Sequence, residues 1–68
     1  TLRASLIQIL ESGIQRKQIK ADIDKNYLAT LIIASLEGGI MMSKLRGNDE
    51  DIRIIIEHLK KQVMQIEL

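Results

Sequence analysis

The chain of 68 residues contains no cysteine, proline, tryptophan or phenylalanine, and it has one tyrosine and one histidine. The lack of cysteine excludes disulfides, thiol nucleophiles and thiolate metal sites. The scarcity of aromatic side chains removes the surfaces on which nucleic-acid bases stack. Paired histidines of a zinc protease, a phosphate-binding glycine loop with lysine and a Gly-x-Ser-x-Gly turn are also missing. We therefore predict that the chain is not an enzyme and has no catalytic residue, bound metal or cofactor.

Large aliphatic side chains dominate what is present, because isoleucine and leucine supply 22 of the 68 residues. This composition is typical of a chain that folds around a core. A chain of 7.7 kDa buries only about 60% of its unfolded surface, which is marginal for a domain without disulfides or metal. We therefore expect a partner, a second copy or further sequence to add stability.

The charges are nearly balanced, with ten basic and nine acidic residues and a formal net charge of +1. The pI near 8.0 lies below the value of about 9 that is expected of a nucleic-acid-binding domain. The chain starts without an initiator methionine and without the basic run and apolar core of a signal peptide. We expect a cytoplasmic protein, and a chain that is a fragment or a trimmed product.

The spacing of apolar residues predicts three helices and no strand. We expect the first helix to include Gly13 in its interior, and the alternative is that Gly13 ends the helix early. The second begins at Asp24 as N-cap and stops at Gly47, and the third opens with Asn48 as its cap. Short connections indicate antiparallel neighbours. We predict an all-α fold, a three-helix antiparallel segment that forms a helical bundle completed by dimerisation, with helices at about residues 2–16, 24–46 and 49–66.

The second predicted helix is apolar over most of its circumference at about 100° per residue. Such a helix must be buried on more than one side, and two neighbours from a short chain do not cover it. Small residues four positions apart form two rows on it, Thr30, Ala34 and Gly38, and Ser35, Gly39 and Ser43. Because small side chains let another helix come close, we interpret them as a self-association surface. The alternative is that the two glycines mark a kink or fit a tight crossing within the chain.

The segment from Tyr27 to Ser43 is apolar enough to raise the question of a membrane helix, because Glu37 is its only charged residue. Its length falls short of the roughly 20 residues that are needed to cross a bilayer. The flanking helices also carry many charges. We therefore expect no membrane insertion, and we expect Glu37 to lie at a solvent-facing edge; the alternative is a buried contact to a ligand or partner.

Few polar residues suggest chemistry. His58 is expected to be a solvated residue at the edge of an apolar face. The acidic residues 49–51 are explained better by the helix start than by a calcium site, whose ligand spacing is missing. The basic cluster at residues 16–20 is expected to be a solvated helix end. The three methionines fill a core or an interface, with an effector pocket as the alternative.

Five segments carry a resemblance to a known family, namely Glu11–Arg16, Ile23–Asp24, Leu28–Ile40, Ser43–Leu45 and Gly47–Asp49. They consist mainly of apolar spacing, with a Glu-Gly pair in the second helix. This pattern resembles the C-terminal third of TetR/AcrR-family transcriptional repressors and spans nearly the whole chain. Two positions differ from it, because Lys17 stands where many relatives have glycine and Lys25 stands where proline is common.

The resemblance implies that the three helices are the last three of that all-helical family. The first would border an effector cavity, and the other two would form a four-helix bundle with the same helices of a second copy. Residues 1–68 would then be a single C-terminal regulatory and dimerisation fragment. The helix-turn-helix that binds operator DNA in the family is not among these residues, so DNA binding is expected only through a missing N-terminal domain.

Carried over residue by residue, the resemblance implies a homodimer interface at Ala34, Gly38, Met41, Leu45, Ile52, Ile55, Leu59 and Ile66. The choice between this face and the face of Ser35, Gly39 and Met42 stays open. We expect the dimerisation and partial effector-sensing region of a TetR-like bacterial regulator. The parent would bind a small hydrophobic effector, for which no residue is assigned. The alternative is a stand-alone helical protein–protein interaction module that binds a partner helix in its groove.

Overall fold

The computed structural model describes all residues from 1 to 68 and contains three helices and no β-strand. They are α1 (Leu2–Gln15), α2 (Lys25–Arg46) and α3 (Glu50–Ile66). The predicted all-α fold is confirmed, and each predicted helix lies within about one residue of the observed one.

The two ends of α2 are set by residues next to them in the sequence. At the start of α2, the Asp24 carboxylate accepts the amide N–H of Tyr27 at 3.1 Å, which satisfies a backbone donor that no helical carbonyl can reach. At its end, Gly47 has a φ of +75°, a left-handed conformation that favours glycine. The N-cap and the stop residue predicted for α2 are therefore confirmed.

The start of α3 differs from the prediction by one residue, because the N-cap is Asp49 and not Asn48. The Asp49 carboxylate does not cap the helix, since it accepts a hydrogen bond from Nε of Arg53 at 2.9 Å. Instead, Oδ1 of Asn48 accepts the amide N–H of Glu50 at 3.0 Å. The side chain that was expected to cap α3 thus still satisfies its first amide, from one position farther back.

Helix α2 is the centre of the fold, because α1 and α3 both pack on it and do not pack on each other. Helix α3 runs back along α2 as an antiparallel neighbour. The hydroxyl of Ser43 accepts the amide N–H of Ile52 at 3.1 Å near the turn. Helix α1 lies over the first half of α2, where the Arg3 guanidinium donates to the hydroxyl of Thr30 at 2.8 Å.

A short backbone pairing joins the α1–α2 connection to the end of α3. The amide of Lys20 donates to the carbonyl of Ile66 at 2.8 Å, and the amide of Leu68 donates to the carbonyl of Gln18 at 3.0 Å. These two bonds form one isolated antiparallel bridge between Ile19 and Glu67. The pairing holds the C-terminal residues beside the turn that follows α1, although α1 and α3 themselves do not pack together.

The three helices form a layer with little interior. The molecule measures 41 × 24 × 15 Å, so its thinnest dimension is only slightly more than one helix diameter, about 10–12 Å. Only Leu10 and Ala29 are buried apolar side chains. The accessible surface of 5216 Å² exceeds by about 900 Å² the roughly 4,300 Å² expected of a compact protein of this mass. The chain therefore exposes more surface than a self-sufficient domain of its size.

Candidate interaction surface

One side of α2 faces neither α1 nor α3. At 100° per residue, five of its residues fall within about 60° of one another, and we call them the open face: Tyr27, Ala34, Gly38, Met41 and Leu45. All five are exposed. The side chains of Tyr27, Met41 and Leu45 retain 62%, 64% and 82% of their accessible surface. A contiguous exposed patch of large apolar side chains is the usual mark of an interaction site.

The two adjacent glycines of α2 have opposite surroundings. A Cβ atom built on Gly39 would lie 2.8 Å from Cδ1 of Ile52 and 3.1 Å from Cγ1 of Ile55, whereas one built on Gly38 would meet nothing within 4 Å. Gly39 thus fits a tight crossing within the chain, which was the alternative interpretation for the pair. Gly38 lies in open space, and the helix continues through both residues.

The predicted interface residues divide according to the helix that carries them. The four on α2 are exposed, and the four on α3 are half-buried. Ile52 and Ile55 are directed at Gly39 and therefore contribute to the packing of α3 on α2. The four α2 residues are therefore accessible to a partner, whereas some of the α3 residues already pack against α2. The assignment of all eight residues to an interface stays a prediction.

A second exposed apolar strip runs along α3. It consists of Ile56, Leu59, Val63 and Met64, and it forms a shallow depression that Lys60 and Glu67 border. Ile56 and Val63 belong to the repeat of apolar residues at spacings of four and three that begins at Ile52. Such a repeat is typical of a helix face that packs against another helix, and it could have identified Ile56 and Val63 from the sequence. The predicted interface set included the half-buried Leu59 but not Ile56, Val63 or Met64.

Two ion pairs of Arg46 hold the turn between α2 and α3. Oδ2 of Asp51 is buried and lies 3.4 Å from Nε of Arg46. The Arg46 guanidinium also lies 3.4 Å from Oε2 of Glu50. No group of three histidine, aspartate or glutamate side chains is arranged to hold a metal ion. The acidic residues at this turn therefore have structural partners, in line with their interpretation as part of the helix start.

The remaining polar candidates lie on the surface. Glu37 is exposed and forms no ion pair, and His58 is exposed with Nε2 3.3 Å from the amide nitrogen of Gln62. The depressions on the surface are shallow and open, and most are lined by a single helix. One helix cannot enclose a small molecule, so these residues alone form no effector cavity.

By length and composition alone, α2 is long and apolar enough to cross a membrane, with a mean hydropathy of 1.4 over its most apolar window. The apolar segment from Tyr27 to Ser43 is shorter than the whole helix, which has 22 residues and carries charged residues at both ends. The criterion is weak, since helices in the cores of soluble proteins also satisfy it. That window is only 11% buried, which again indicates an apolar helix without enough partners within the chain.

Most of the chain matches a known protein family. Residues 1–59 match the family described as "Tetracyclin repressor-like, C-terminal domain". The matched part includes all of α1 and α2 and the first half of α3. The comparison with curated proteins and the comparison with solved structures each give no match.

Proposed function

The chain belongs to the family of tetracyclin repressor-like C-terminal domains, and from this membership we propose that it is the dimerisation region of a TetR-like transcriptional regulator. The family points to the ligand-binding and dimerisation region of a regulator. The proposal adds that two copies pair through the open face of α2 to form a cytoplasmic homodimer.

The observation that carries the proposal is the open face itself, a stripe of exposed apolar residues in the longest helix. Leu45 is 82% exposed and Met41 is 64% exposed. Burying each side chain against a partner is worth about 1.5–3 kcal/mol at most. Polar Thr30, Glu37 and Lys44 lie along one edge of the stripe, which is the arrangement of an apolar interface with a polar rim.

The excess of exposed surface is close to the area that one protein partner would cover. The chain exposes about 900 Å² more than a compact protein of its mass. A standard protein–protein interface buries about 800 Å² on each partner. One interface of ordinary size would therefore bring the exposed surface of this chain to the value of a stable domain.

DNA binding and effector recognition enter the proposal only through the parent regulator. The depressions of this chain are open, so we propose that further sequence completes the cavity for a small hydrophobic effector. Helix α1 and the strip on α3 are surfaces that this sequence would cover. No residue of the chain is proposed as an effector ligand or as a DNA contact.

The test is the solution mass of the chain by light scattering across a dilution series. The wild-type chain should have twice the mass of one 7.7 kDa chain at low micromolar concentration. Leu45→Glu should be monomeric with an unchanged helical circular dichroism signal, because a desolvated charge opposes pairing and Leu45 makes little contact within the chain.

The matched control is Met64→Glu, because Met64 is also highly exposed, at 70%. It lies on the opposite side of α3 from Ile55, which faces α2. This control should remain dimeric. A dimer that survives Leu45→Glu would contradict the assignment to the open face. A folded monomeric wild-type chain would contradict dimerisation and favour the alternative in which this face binds a helix of a different protein.

A further inference from the structure

The apolar residues on the open side of α2 follow a regular spacing of four, three, four, three and four. The six positions are Tyr27, Leu31, Ala34, Gly38, Met41 and Leu45. Five of them form the open face, and Leu31 beside them is half-buried. This is the spacing of a helix that packs lengthwise against one other helix, as in a coiled coil. The open side of α2 is therefore shaped for a long helical partner and not for a single point of contact.

The sizes of these side chains are symmetric along the helix. Position 36 is the midpoint between Ala34 and Gly38, between Leu31 and Met41, and between Tyr27 and Leu45. The inner pair is small, and the two outer pairs are large. When two copies of one helix pair antiparallel about a two-fold axis, residues equally distant from the axis face each other. The stripe is thus complementary to itself in that arrangement.

A parallel pair does not account for this symmetry. In a parallel pair each residue lies beside its own copy, so the profile of sizes along the helix is unrestricted. Antiparallel pairing also sets the helix dipoles in the favourable sense. It also places the two copies of Lys44 about 24 Å apart along the helices, since each lies eight residues from the midpoint.

We propose that the α2 helices of two copies pair antiparallel, with the two-fold axis at position 36. Ala34 of one copy faces Gly38 of the other, and Tyr27 faces Leu45. The small central residues let the helices approach to about 8 Å between axes, the lower end of the usual range. The larger residues fill the wider space towards both ends. This inference rests on the proposed dimer and specifies its register.

Site-specific cross-linking tests the register, and the absence of cysteine from the chain means that only introduced thiols react. Chains with Ala34→Cys and chains with Gly38→Cys are mixed in equal amounts and oxidised mildly. Mass spectrometry separates the mixed product from the two self-linked products. The mixed disulfide should form nearly all of the product, compared with about half for random pairing.

A second mixture makes the test independent of changes at the central contact. Tyr27→Cys and Leu45→Cys chains are treated with a short bismaleimide linker. The mixed product should again dominate, since two copies of Tyr27 would lie about 27 Å apart along the helices. Self-linking of each single variant would show a parallel pair and overturn the proposal.

Light scattering on every variant distinguishes a wrong register from the absence of a dimer. Dimers that give neither mixed product would overturn the register and leave the proposed dimer in place. Monomers for the wild-type chain would overturn the dimer, and the register with it.

Discussion

The adjacent glycines of α2 provide a sharp test of how α3 packs. Gly38→Ala and Gly39→Ala change neighbouring residues in the interior of one helix, so both variants gain the same helix propensity, about 1 kcal/mol. The two new methyl groups meet different surroundings. The one at position 38 enters open space, and the one at position 39 enters the contact with Ile52 and Ile55.

The magnitude follows from the distances at Gly39. A Cβ atom there would lie 2.8 Å from Cδ1 of Ile52 and 3.1 Å from Cγ1 of Ile55, so the Ile52 side chain must rotate aside and Ile55 must shift by a few tenths of an ångström. Overpacking of this kind costs about 1–3 kcal/mol. The propensity gain cancels between the two variants, so Gly39→Ala should be less stable than Gly38→Ala by the same 1–3 kcal/mol or so. For a domain of this size, each kcal/mol corresponds to about 4–8 °C in Tm.

The assay is thermal unfolding followed by circular dichroism in the Leu45→Glu background, which removes pairing so that stability does not depend on chain concentration. Gly38→Ala should raise Tm relative to its parent, and Gly39→Ala should fall below Gly38→Ala by at least about 4 °C. Equal stability of the two variants, or greater stability of Gly39→Ala, would refute the packing of α3 on Gly39.

Two further substitutions test the turns. Lys17 has a φ of +60°, a left-handed conformation that glycine adopts without strain. Lys17→Gly should therefore stabilise the chain by up to about 1 kcal/mol after the entropy of glycine is counted. Gln18→Gly is the control, and a lower stability of Lys17→Gly in urea unfolding would contradict this account. Arg46→Met leaves the buried Asp51 carboxylate without its cation and should cost about 1–3 kcal/mol. Adding Asp51→Asn should recover part of that loss, and no recovery in the double variant would argue against the ion pair.

The helices could be predicted from the sequence because the signals that begin and end them are local. The Asp24 carboxylate reaches the amide three residues later, and the left-handed turn at Gly47 follows from the residue type. The start of α3 was one residue off because Asp49 and Asn48 are both good caps. Asp49 holds the N-cap position, but its carboxylate is engaged by Arg53, so the side chain of Asn48 accepts the first helical amide instead.

The sequence by itself determined the all-α class, the length of each helix and the excess of apolar surface on α2, since these depend on spacing and composition. Only the tertiary structure decided how α2 is rotated between its neighbours. That rotation turns Gly39 towards α3, leaves Gly38 in the open and buries Asp51 at the turn. The tertiary structure also brings residues 18–20 beside residues 66–68. Rotation and long-range pairing result from the packing of all three helices together, and no local signal along the chain carries that information.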